Sequence, residues 1–114
     1  MSRILVVDDD PSIVSVVTDI LTSEGHEVLS ASNGEEALTK VDGEALVLLD
    51  MRMPVMDGWH FAARFRSAGK RSPIVVMTAA ESARRWAEEI GADGYIEKPF
   101  ELEALIAVVE RHAR

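Results

Sequence analysis

The apolar run Ile4-Leu5-Val6-Val7 stops against three consecutive aspartates, Asp8, Asp9 and Asp10. A second apolar run, residues 45–49, stops against Asp50. A third, residues 74–77, stops against Thr78, and the short stretch 94–97 stops against Lys98. Like charges set side by side at the end of a buried segment are unfavourable unless something positive sits among them. Lys98 carries one charge and cannot balance three acids. Carboxylates gathered in one shallow crevice make a site for a hard cation. Mg2+, which takes oxygen ligands in an octahedron and keeps several waters, suits such a set.

The elements that would gather these residues can be read along the chain. Residues 3–7 read as a buried strand. The helix that follows has Asp10 as N-cap, Pro11 at N1 and Gly25 at C′, with Ile13, Val16, Val17, Ile20 and Leu21 on its apolar face. Residues 26–31 form a weaker second strand. Ser32 and Glu35 have capping-box spacing for a short helix through Val41. Residues 45–49 are a strong buried strand. The loop "MRMPVMDG" carries the breakers Pro54 and Asp57-Gly58, and Trp59, Ala62 and Phe65 line one face of the next helix, which ends near Gly69. Residues 74–77 are the fourth strand. Ala83, Ala87 and Ile90 give a helix face closed by Gly91. "GYIE" is the fifth strand, and Leu102, Leu105, Ile106, Val108 and Val109 mark a final amphipathic helix.

The chain reads as five βα units, and strands with apolar residues at every position, such as 45–49 and 74–77, imply a parallel sheet covered by helices on both faces. Right-handed crossovers leave few topologies, and in a doubly wound sheet ligands bind at the carboxyl ends of the strands. The polar residues named above lie at those ends, whereas strand two ends in Ala31-Ser32. If the strand order is 2-1-3-4-5, strands one and three are neighbours and Asp8, Asp9 and Asp50 converge.

The totals exclude several classes. The chain of 114 residues suits one domain over 1–114 with its own core. It has no cysteine, so disulfides, thiol catalysis and thiolate metal sites are out. A net charge of −8 argues against direct binding to nucleic acid or to an anionic membrane. No apolar run approaches membrane-spanning length, and the apolar residues after Met1-Ser2-Arg3 are too few for a secretory signal, so a cytoplasmic protein is expected.

The segments "ILVVDDDP", "LVLLDMRMPVMDG", "VVMTAA" and "GADGYIEKPF", in this order and each at a strand end, resemble a response-regulator receiver domain of two-component signalling. The resemblance covers essentially the whole chain. It implies an α/β, flavodoxin-like, doubly wound sheet of five parallel strands in the order 2-1-3-4-5 with five helices. It implies that Asp50 is the phosphoacceptor, attacking the phosphorus of a donor phosphohistidine to form an acyl phosphate, which is nucleophilic catalysis by a carboxylate. Asp8 and Asp9 resemble the acidic pair that holds Mg2+ together with Asp50 and the backbone carbonyl of Arg52. Lys98 would pair with the phosphoryl oxygens, and the Thr78 hydroxyl would bond them after transfer. Tyr95 matches the aromatic that swings inward when Thr78 moves and so reshapes the face of helix four, strand five and helix five, the surface expected to meet an output domain or effector protein. The phosphoryl donor would be a sensor histidine kinase or a histidine phosphotransfer protein. The Lys98-Pro99 bond resembles one that is cis in receivers, which X–Pro tolerates. Such a domain catalyses its own phosphorylation and dephosphorylation and turns over no outside substrate.

The chain departs from the family pattern in several places. The stretch between Thr78 and Lys98 is short, "GEA" precedes the third strand in a neutral exchange, and Arg52 and Ala80 occupy positions that influence water access to the phosphoryl group. A haloacid-dehalogenase-like phosphatase would also use a strand-end Asp, Mg2+ and Lys. It needs a second acid two residues after the nucleophile, where Arg52 stands. A flavodoxin-like flavin binder needs a Ser/Thr/Gly-rich phosphate loop, and "DDDP" would repel the phosphate. A pseudo-receiver serving only as an interaction module is countered by the presence of every motif residue. The chain ends with its last helix, which leaves a stand-alone receiver, a relay intermediate or a piece of a longer regulator.

Plainer readings stand beside these. Asp10 is read as a helix cap. Thr78 has a second reading as a β-branched strand end, and Tyr95 as core packing. His26, His60 and His112 show no ligand spacing and are read as surface or interface residues. Trp59 is read as core. Trp86 is read as core edge, against an exposed partner-binding aromatic, and Arg84-Arg85 as a solvated face.

Overall fold

The protein is described from a computed structural model, which covers residues 2–79 and 81–113. Ala80, with the water-access reading made for it, lies outside the described residues. The elements follow one another as β1 (Arg3–Val7), α1 (Pro11–Ser23), β2 (Glu27–Ala31), α2 (Gly34–Lys40), β3 (Leu46–Leu49), α3 (Gly58–Ser67), β4 (Ile74–Ala79), α4 (Ala83–Ile90), β5 (Gly94–Lys98) and α5 (Leu102–His112). The strands form one parallel sheet in the order β2-β1-β3-β4-β5.

Why the inner strands carry unbroken apolar runs follows from the pleat. Alternate side chains point to opposite faces, and each face is roofed by helices. Leu5, Val7, Val47, Leu49, Ile74 and Val76 face one core, under α2, α3 and α4. Ile4, Val6, Leu46, Leu48, Val75 and Met77 face the other, under α1 and α5. Ile4 through Val7 and Leu46 through Leu49 are fully buried, and each such side chain contributes about 1.5–3 kcal/mol relative to exposure. The same alternation positions the polar residues. Continuing it past Ile4-Val6 and Leu46-Leu48 brings Asp8 and Asp50 to one side of the sheet, and Lys98 follows Ile96 on that side.

The helix ends explain where the site begins. The Asp10 side chain accepts from the Ser12 N–H at 2.9 Å, and Pro11 opens α1, so Asp10 acts as the cap its position suggested. The capping of α2 differs from expectation by one residue. Asn33, not Ser32, is the N-cap and accepts from the Glu36 N–H, because Ser32 is still leaving β2. Glu36, not Glu35, reaches back, and its carboxylate accepts from both the Ser32 N–H and the Ser32 hydroxyl. Those two bonds, with Lys40 beside them, hold the Glu36 carboxyl down at about 2. Thr78 lies inside β4 rather than after it, and Ala45 precedes β3. The "GEA" stretch has a local role after all: the buried Glu44 carboxylate accepts from the Asp42 N–H and closes the turn into β3.

Candidate functional site

The carboxyl ends of β1 and β3 are pinned by the ladder. The Asp8 N–H donates to the Ala31 carbonyl at 3.0 Å, and the Asp50 N–H donates to the Val7 carbonyl at 2.8 Å. Adjacent strands thus present their terminal aspartates side by side. One carboxylate oxygen each from Asp8, Asp9 and Asp50 lies within 4.8 Å of the others. Asp8 and Asp50 are buried, at 1% and 6% exposure, and Asp9 is exposed at the rim.

Lys98, the last residue of β5, reaches across the end of β4 into this cluster. Its Nζ lies 2.6 Å from Asp8 Oδ2 and 3.6 Å from Asp50 Oδ1. The second Asp8 oxygen accepts from the Asp10 N–H at 2.9 Å. Asp8 is therefore satisfied on both oxygens, and Asp50 has the weaker hold on the ammonium. Burial, then the negative charges of Asp8 and Asp9, push the Asp50 carboxyl up to about 7, against the opposing pull of Lys98. Even with Lys98 in it the cluster is short of positive charge, as its composition suggested.

The loop after β3 is fitted closely around Asp50. The Gly58 N–H donates to the Met51 carbonyl at 2.9 Å, and a Cβ on Gly58 would stand 2.9 Å from the Asp50 carbonyl oxygen and 2.8 Å from Met51 Cα. Only glycine permits that approach. Within the loop, the Met56 N–H donates to the Pro54 carbonyl at 2.7 Å, and Val55 between them has φ 68°. A β-branched residue in the left-handed region is strained.

Thr78 is buried in β4 on the α2–α4 side of the sheet, paired in register with Glu97. Tyr95 is 40% exposed on β5, so its reading as core packing does not hold. The Lys98-Pro99 bond is cis. The cluster opens onto a groove of about 480 Å3 between the start of α1, the end of β2 and one side of α2, where Ser15, Ser32 and Lys40 join Asp8 and Asp9 in the lining.

The aromatic and histidine readings divide. Trp86 is core edge, 6% exposed, whereas Trp59 is only half-buried and donates its indole N–H to Glu89 Oε1 at 2.8 Å. Trp59 packs at the margin of the core under α2, α3 and α4, on the side of α3 that meets α4, where the two indoles meet edge to face at 4.9 Å. His60 is exposed, with Nδ1 2.8 Å from Asp57 Oδ1. His26 Nδ1 accepts from the Ser2 N–H, and His112 packs against Gly94. Arg84 and Arg85 are exposed as expected, but Arg85 and Arg52 both lie over the Trp86 ring. No sequence signal links Arg52 to Trp86, which are far apart in the chain.

A sequence profile described as the response regulator receiver domain matches residues 4–110. The chain belongs to the response regulator receiver domain family. Receivers are the phosphoryl-accepting signalling domains of two-component systems, and they work with kinases and output domains. The receiver is 44% identical to the probable transcriptional regulator ycf27 of Porphyra purpurea, over 97% of this chain and 48% of that protein. It is 39% identical to the alkaline phosphatase synthesis transcriptional regulatory protein PhoP of Bacillus subtilis, over 86% of this chain and 42% of that protein. The chain thus spans about half the length of these curated relatives. The high-resolution structure of the chemotaxis response regulator CheY4 of Vibrio cholerae superposes with a TM-score of 0.87 at 34% identity, covering 97% of the receiver and 98% of CheY4. Among the described residues no helix is long and apolar enough to cross a membrane.

Proposed function

We propose that this receiver accepts a phosphoryl group on Asp50 in a reaction that depends on Mg2+. The observation that carries the reading is the junction of Asp8, Asp9 and Asp50 within 4.8 Å with the Lys98 ammonium at their edge. The donor set is all oxygen and strongly anionic, which fits Mg2+ and disfavours softer metals. Asp8, Asp9, Asp50 and the backbone carbonyl of Arg52 would hold the ion. When bound, Mg2+ supplies positive charge for the phosphoryl oxygens and for the crowded carboxylates.

The protein's own groups do the rest. An Asp50 carboxylate oxygen attacks the donor phosphorus in line. The Asp50 O–P bond forms as the donor P–N bond breaks, and the electron pair leaves with the histidine nitrogen. Lys98 swings from its 3.6 Å distance to Asp50 toward the incoming phosphoryl oxygens. Thr78, at the end of the neighbouring strand, donates its hydroxyl to the transferred group. Tyr95, outward on β5, follows Thr78 and alters the α4-β5-α5 face presented to an output domain or effector. The donor is the phosphohistidine of a sensor kinase or histidine phosphotransfer protein. The receiver turns over no outside substrate and contacts no nucleic acid directly, in keeping with its net charge of −8. It works in the cytoplasm.

The test is incubation with acetyl phosphate and Mg2+ followed by intact mass. A phosphate-sized gain in wild type, absent in Asp50→Asn and in the presence of EDTA, is expected. Equal labelling of wild type and Asp50→Asn would remove Asp50 from its role.

A further inference from the structure

Arg52 follows Asp50 by two residues, next to the most anionic part of the molecule. Its guanidinium nevertheless stays out of the cluster. Among the described residues it forms no ion pair, and its Cζ lies 5.1 Å from the centroid of the Trp86 ring. The ring is held firmly. Trp86 is buried at 6% exposure on α4, braced edge to face by Trp59 at 4.9 Å, and Trp59 is anchored in turn through its indole N–H to Glu89. The Arg85 guanidinium lies 5.9 Å from the same ring. Tryptophan is the strongest aromatic partner for a guanidinium.

We propose that Trp86 is a positioning residue that keeps Arg52 parked on α4 and so keeps an internal cation out of the acidic cluster. A guanidinium released from the ring faces three carboxyl groups opposed by only a single ammonium. It binds carboxylates bidentately and competes with a divalent ion for the same oxygens. Trp86 thereby sets how readily the cluster takes Mg2+, without touching the ion or the phosphoryl group. The inference rests on the reading of Asp8, Asp9 and Asp50 as the Mg2+ site.

Calorimetric titration of Mg2+ into the full chain tests it, with wild type, Trp86→Leu, Trp86→Phe, Arg52→Ala and Trp86→Leu/Arg52→Ala compared at low ionic strength. Melting curves establish that each variant is folded. Trp86→Leu is expected to weaken Mg2+ binding about threefold to tenfold, the size of a lost cation–π contact, with Trp86→Phe between it and wild type. The double variant is expected to bind with the affinity of Arg52→Ala alone. If Trp86→Leu fails to fold, Trp86→Phe, which keeps a ring in the core, carries the comparison in both Arg52 backgrounds. Unchanged affinity in the Trp86 variants overturns the proposal, and so does an equal weakening with and without Arg52. Asp9→Asn separates this failure from that of the metal site. A wild type that takes up no Mg2+ sensitive to Asp9→Asn defeats both readings, while sensitive uptake without a Trp86 effect defeats the positioning role alone.

Discussion

In metal-free protein Asp50→Asn should stabilise the fold, and the gain should depend on pH. The Asp50 carboxyl sits at about 7 in the folded chain against an ordinary 3.8, chiefly through burial and then through Asp8 and Asp9. A folded-state value above the unfolded one means that the native state holds its proton more tightly. The contribution is fully present below about pH 4, declines as pH rises toward about 7, and is gone above it. Taken at face value, the displacement from 3.8 to about 7 corresponds to about 4 kcal/mol favouring the neutral form. The crevice is open at the Asp9 rim, and solvent screening brings the expected gain to about 2 kcal/mol at pH 8. Asparagine keeps the size and polarity of the side chain and removes its charge.

Urea unfolding in EDTA, from pH 4.5 to 8.5, measures the difference between the two proteins, so that other titrating carboxylates cancel. The difference should be smallest at the acid end, where part of it is already open because the unfolded carboxyl titrates at about 3.8, and should widen toward pH 8. On the proposed reading of the site, saturating Mg2+ should close the gap by stabilising wild type more than the variant, since the ion would bind the folded carboxylates. A variant no more stable than wild type at pH 8 in EDTA, or a difference that does not change with pH, would refute the electrostatic account of the cluster.

Two further outcomes follow from the loop after β3. Gly58→Ala places a methyl 2.9 Å from the Asp50 carbonyl oxygen, and should cost about 1–3 kcal/mol in denaturant and slow labelling by acetyl phosphate. Val55 is 75% exposed with φ 68°, so Val55→Gly relieves strain while losing little burial, and should raise stability by about 0.5–1 kcal/mol after the larger unfolded-state entropy of glycine is subtracted. A lower denaturation midpoint for Val55→Gly would show that the loop pays no strain there.

The order of elements was legible because local rules agree with the fold. Unbroken apolar strands declare a sheet buried on both faces, and Asp10-Pro11, Gly25 and Gly91 punctuate helices in ways that need no distant partner. The α2 cap was misread by one residue because Ser32, Asn33, Glu35 and Glu36 offer two overlapping capping registers, and only the exit of β2 chooses between them. Trp59 joins the core only at its margin, because spacing shows which helix face turns inward, not where the neighbouring helix stops covering it.

The chemistry of the candidate site was written in residue types at strand ends: acids at 8, 9 and 50, a hydroxyl at 78, an ammonium at 98. Period-two alternation and parallel pairing then leave Asp8 and Asp50 little choice but to meet. What only tertiary structure decided is how that charge is shared. Lys98 is held closer to Asp8 than to Asp50, and Arg52, in the loop after β3, is drawn onto a ring of α4 instead of into the crevice. Those outcomes depend on distances of a few ångströms between elements distant in the chain. Coulomb and cation–π attractions vary steeply over such distances, while sequence patterns record only which residues share a face.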